Sequence, residues 1–124
     1  MITGIGVDIV QVKRMEQWRN MPGLTERYFR PEELETALSR GKGAGLSLAA
    51  RFAAKEAFGK ALGTGLEGLV LKDISVVNQR NGKPEIQVTG TAETALKKNG
   101  ANRIHLSLTH ETDNAVAMVV LESQ

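Results

Sequence analysis

Four charged side chains on one short segment carry the first hint of chemistry. The segment is 47–62, SLAARFAAKEAFGKAL, with Arg51, Lys55, Glu56 and Lys60. It is rich in Ala and free of Pro, so it reads as a helix, with Ser47 placed as its N-cap and Gly63 as its end. At helical spacing Leu48, Phe52 and Glu56 share a face, with Ala49 and Ala53 beside them. A carboxylate on an apolar stripe is costly unless a cation, a donor or water meets it. Arg51 and Lys55 stand four apart and repel mildly, so helix stability does not explain them. A helix offering one carboxylate and several cations could hold a metal ion and a polyanion together. The structural alternative is a core helix with Glu56 paired to Lys60 and a solvated basic side.

A second acid, Asp8, stands within the apolar, Gly-containing stretch 1–9. It is either a cap for the helix that follows or a ligand near a strand's end. His105 and His110 fall near the C-terminus, and a lone strand histidine is more often structural.

These residues need elements to position them. Residues 1–9 read as a strand, where Gly4 and Gly6 let another backbone come close. A basic helix follows over about 10–20, carrying Lys13, Arg14 and Arg19; Met21-Pro22-Gly23 breaks it. That basic face is either solvated or a dock for an acidic partner. A helical turn at 25–29 precedes a helix from Pro31 to about Ser39, with Glu32, Glu33 and Glu35 near its positive end. Residues 40–45 read as a flexible basic loop, which either orders on an anion or is simply a linker. The loop at 63–68 is Gly-rich but follows a helix, so neither a P-loop nor a dinucleotide fingerprint is present. Strands at 74–78 and 85–89 flank Asn81-Gly82, a hairpin signal. A helix at 91–99 ends at Gly100, and strands at 103–108 and 114–121 close the chain. The order implies one α+β domain over 1–124, with a mainly antiparallel sheet packed on a long central helix.

Composition narrows the function. The chain has 124 residues, one domain's worth, with 24% charged residues and a net charge of +2. That charge does not demand nucleic acid, and 4% aromatics argue against a base-stacking surface. There is no cysteine, which excludes disulfides, thiolate zinc sites and cysteine-ligated clusters. No run is long enough to cross a membrane, and the N-terminus lacks a signal-peptide pattern, so a cytoplasmic protein is expected.

Three separated stretches, Gly6-Val7-Asp8-Ile9, then Arg51 through Lys60, then Ile104 to His110, together resemble the 4′-phosphopantetheinyl transferases. The likeness is to their short bacterial type, the holo-[acyl-carrier-protein] synthases. It rests on a Gly-x-Asp near the start and on Phe52-x-x-Lys55-Glu56-x-x-x-Lys60, and it spans essentially the whole chain. The resemblance implies a one-lobed transferase fold. It also implies transfer of the 4′-phosphopantetheine arm from coenzyme A to a serine of apo-acyl carrier protein, releasing adenosine 3′,5′-bisphosphate and serving fatty acid biosynthesis.

Site residues follow from the same likeness. Asp8 and Glu56 are expected to hold Mg²⁺, which typically takes one or two carboxylates and fills its other positions with phosphate oxygens and water. The two-lobed relatives have a third acid where this chain has Val10. Lys60 is expected near the phosphates, and Arg51 and Lys55 near the nucleotide's anionic groups. His105 matches a histidine near the coenzyme, for phosphate binding or proton transfer. Gly63, Asn81, Gly82, Lys83 and Pro84 are expected on the coenzyme's path, though the last four also suffice as a turn. Lys13 and Arg14 fall where the acidic carrier protein docks. The short type implies a homotrimer with sites between neighbours. The rival reading is a non-enzymatic basic module that binds an acidic protein, with salt-sensitive binding indifferent to Mg²⁺ and Asp8.

Overall fold

In the computed structural model, which describes residues 1–124, the first strand β1 (Ile2–Gln11) lies directly along the longest helix. The helices α1 (Val12–Arg19), α2 (Leu24–Tyr28) and α3 (Pro31–Leu38) lead to α4 (Ala44–Leu62). The hairpin β2 (Ile74–Asn78) and β3 (Pro84–Val88), helix α5 (Gly90–Asn99), and strands β4 (Arg103–His110) and β5 (Asn114–Glu122) follow. The class is α+β, as expected. The antiparallel strands form two sheets rather than one: β1-β5-β4, and the β2-β3 pair.

The larger sheet packs one face on α4. Ala49, Ala53, Ala54, Ala57 and Ala61 of that helix are all buried, because packed elements approach it from several sides and leave room only for small side chains. Gly4 and Gly6 do the same from the strand. A Cβ at Gly4 would collide with the carbonyl oxygen of Ala61, and one at Gly6 with that of Ala57. Both obstacles are backbone, so nothing flexible can give way. Gly6→Ala is therefore expected to lift β1 off α4 and destabilise the protein by about 2–3 kcal/mol, read as a lower urea midpoint.

Three local expectations are corrected. First, β1 continues to Gln11, so Asp8 is an interior strand residue paired with Ala117 and caps nothing. Second, α4 begins at Ala44, three residues before Ser47, which lies inside it. Third, 40–45 is no free loop: Gly41–Gly43 is a 3₁₀ turn running straight into α4.

The sheet's other face is open and largely apolar. Register puts Ile5, Val120 and His105 in one row, Val7, Met118 and Ser107 in the next, and Ile9, Val116 and Thr109 in the third. Ile5, Val7, Ile9 and Met118 are all exposed.

Candidate active site

Strand alternation turns Asp8 toward α4, where it is 9% exposed. Lys60, in the last turn of α4, donates from Nζ to Asp8 Oδ1 at 2.9 Å and to the Val7 carbonyl at 3.2 Å. Asp8 Oδ2 is buried with no partner. Glu56, one turn earlier on α4, stands near enough for the Asp8 charge to act on its carboxyl. Burial, and then the Asp8 charge, raise the Glu56 pKa above the ordinary carboxylate value, while Arg14 and Lys60 pull the other way. The hydrogen bond to Asp8 and its charge hold the Lys60 ammonium above its usual pKa.

Two hard oxygen donors of like charge therefore share one place, with a buried oxygen left unsatisfied. That donor set fits a small divalent cation such as Mg²⁺. No third acid joins them: no group of three His, Asp or Glu side chains comes together, and Val10 is buried without a donor. Glu56 does not form the simple pair with Lys60, because Lys60 turns across to the strand.

Lys55 is a correction. Its side chain is completely buried, with Nζ 2.8 Å from Glu33 Oε1 and donating to the carbonyls of Leu71 and Ile74. Burial lowers its pKa against the opposing pull of Glu33. With all three protons bound to protein, it cannot meet a nucleotide. Arg51 is also buried, not solvated: Nη1 donates to Ser47 Oγ and Nη2 to Asn78 Oδ1. Yet Arg51 lines a cleft of about 390 Å³ together with Arg40, Ser47, Gly82, Pro84 and His110. Arg51 thus ties α4 to the hairpin, since Asn78 also donates to the Gly82 carbonyl. Pro84 and Gly82 lie on this cleft; Asn81 closes the turn by accepting from the Lys83 N–H. Gly63, at φ 86°, ends α4 in the left-handed conformation.

His105 is not brought to the acid pair within one chain. Register puts it on the sheet face opposite Asp8, half-exposed, with Nε2 3.0 Å from Glu122 Oε1. Its hydrogen bond holds the Glu122 carboxyl below the usual range. Lys13 and Arg14 are exposed on α1.

Sequence reasoning missed the parts that Glu33 and Asn78 play. The isolated acids of α3 give no sign that one of them pairs with a lysine 22 residues away. Asn78 looked like a strand end; only a buried Arg51 seeking an acceptor could have pointed to it.

Comparisons with known proteins show the family and the fold. The family model of the 4′-phosphopantetheinyl transferase superfamily matches residues 4–119. The chain is 58% identical to the holo-[acyl-carrier-protein] synthase of Treponema denticola, covering 98% of this chain and 99% of that one. It is 47% identical to the synthase of Geotalea daltonii, over 98% and 99%. Among solved structures, the Neisseria meningitidis synthase superposes with a TM-score of 0.88 at 39% identity, over 99% of this chain and 100% of that one. The Bacillus anthracis synthase in complex with CoA (3′,5′-ADP) superposes at 0.83 with 36% identity, over 100% and 99%.

Proposed function

The chain belongs to the 4′-phosphopantetheinyl transferase superfamily, on its holo-[acyl-carrier-protein] synthase branch, and is an enzyme of that class; from this premise we propose how its own residues carry the reaction. Residues 1–124 act as one transferase domain. The serine hydroxyl of an apo-acyl carrier protein attacks the pyrophosphate phosphorus nearer the pantetheine arm of coenzyme A. The phosphorus–oxygen bond breaks, and adenosine 3′,5′-bisphosphate leaves. The product supports fatty acid biosynthesis in the cytoplasm, a setting that a chain without cysteine suits.

The observation that carries this reading is the orphaned, buried Asp8 Oδ2, with the Glu56 carboxyl near enough to feel its charge. Asp8 and Glu56 would hold Mg²⁺. A divalent ion held by these two carboxylates would supply charge neutralisation for the leaving phosphate and alignment of the reacting groups. Lys60, exposed beyond Asp8, offers its ammonium to the phosphates. The cleft beside Arg51 takes the nucleotide end, with Gly63, Asn81, Lys83 and Pro84 along the path. Lys13 and Arg14 face the acidic carrier protein.

His105 enters from a neighbour. It stands on the open apolar sheet face, across the sheet from Asp8, so one chain alone leaves the site without it. Covering that face in a homotrimer removes Ile5, Val7, Ile9 and Met118 from water and brings each His105 to another subunit's site. Met118→Glu is expected to yield monomers by analytical ultracentrifugation and to lose transfer activity with the assembly. A trimeric Met118→Glu protein would count against this interface.

Mass spectrometry tests the whole reading. Apo-acyl carrier protein incubated with the enzyme, coenzyme A and Mg²⁺ should gain the mass of one phosphopantetheine on a serine. No gain in mass would defeat it.

A further inference from the structure

Arg14, whose charge acts on Glu56, makes no ion pair of its own. Lys60 is bonded to Asp8, and Arg19 to Glu16. The Arg14 guanidinium instead rests on two rings, 5.0 Å from the centre of Trp18 and 5.1 Å from that of Phe52. Those rings meet edge to face with centroids 5.0 Å apart, and Tyr28 stands 5.3 Å from Trp18. The rings thereby fix where the charge sits. Phe52 lies one turn before Glu56 on α4, on the same face, so the seat of Arg14 adjoins the Glu56 carboxyl. The field of Arg14 is felt there. The cluster is thus two carboxylates flanked by two cations, one bonded and one merely parked. A fixed positive charge beside Glu56 repels an incoming divalent ion. Of the two cations, Arg14 is the one that an arriving acid can draw away without breaking an ion pair.

We propose that Arg14, parked on Trp18 and Phe52, holds down the divalent-cation affinity of the Asp8–Glu56 pair, and that an acidic group of the acceptor protein, by drawing Arg14 off the rings, raises it. Acceptor docking and metal binding then strengthen one another by the same factor. Arg14 is a positioning residue here, acting on the ion through Glu56. The inference rests on the metal reading of Asp8 and Glu56.

The test uses the full chain and Mn²⁺ alone, counted by the free-ion electron paramagnetic resonance signal. Arg14→Met should bind Mn²⁺ about fivefold tighter than the wild type, the size of effect a unit charge has on a divalent ion about 8 Å away in water. Arg14→Lys, with the charge kept, should stay within about twofold of the wild type. Adding apo-acyl carrier protein should tighten Mn²⁺ binding in the wild type and shift the emission of Trp18, the only tryptophan. It should tighten nothing in Arg14→Met. Asp8→Asn separates the two layers. If it binds Mn²⁺ as the wild type does, the metal reading falls and this inference with it. If it loses Mn²⁺ while Arg14→Met matches the wild type or binds more weakly, this inference alone is overturned. Equal tightening by the carrier in both proteins overturns the coupling. Arg14→Gln replaces Arg14→Met if the latter shows no cooperative melting.

Discussion

Glu56→Gln is expected to cut phosphopantetheine transfer by more than about a hundredfold while leaving the fold in place. Changing a group that only supports a metal ligand commonly costs 10–100-fold, so loss of a ligand should exceed that. The stability side has a definite sign. Burial, and then Asp8, raise the Glu56 pKa, so its carboxyl holds a proton more firmly folded than unfolded. Its stabilising share is complete below the unfolded carboxylate range and is lost as pH rises through the folded value. Once ionised, Glu56 beside Asp8 therefore weakens the metal-free protein. Gln removes one of the two charges. The metal-free variant should melt at or above the wild type at neutral pH, and the gap should fade in acid. Mg²⁺ should raise the wild-type melting temperature by mass action and leave that of the variant unmoved. Circular dichroism melts with and without Mg²⁺, beside the transfer assay, check all three outcomes. A variant that melts lower and transfers normally would make Glu56 a structural residue.

The contrast between Glu56 and its neighbour Lys55 shows what a sequence can and cannot reveal about such a site. Glu56 stood out locally, because a carboxylate on a helical stripe with Leu48 and Phe52 needs a partner. The identity of that partner was legible only through the family likeness, since Asp8 lies 48 residues earlier on another element. Asp8 itself read as a cap or a ligand. What decided was β1 running two residues further, so that Asp8 is interior to the strand and alternation aims its side chain at the α4 face. The strand alternation of β4 and the hairpin at Asn81-Gly82 followed from local pattern. The solvated reading of Arg51 and Lys55 failed for one reason. At helical spacing they form a basic stripe that looks solvated, yet α4 is surrounded, and no stripe of a surrounded helix faces water. Their partners Asn78 and Glu33 come from elements 27 and 22 residues away, beyond any local signal.

Lys55→Met is expected to destabilise the protein by about 3–5 kcal/mol, because breaking a buried ion pair leaves the other charge uncompensated. The Glu33 carboxylate, 2% exposed, would keep only the backbone N–H groups of Arg30 and Val76 as donors. The carbonyls of Leu71 and Ile74 would also lose their common donor, which loosens the chain just where it enters β2. Urea unfolding gives the magnitude. Adding Glu33→Gln to Lys55→Met should return part of the loss, since no charge then stays buried without a partner, and the double-mutant cycle measures the coupling. Activity divides the two neighbouring residues. At low temperature, where the variant is folded, Lys55→Met should transfer far better than Glu56→Gln, because Lys55 holds α3, α4 and β2 together and touches no substrate. A Lys55→Met protein that is stable but inactive would reverse that assignment and move Lys55 from the core to the chemistry.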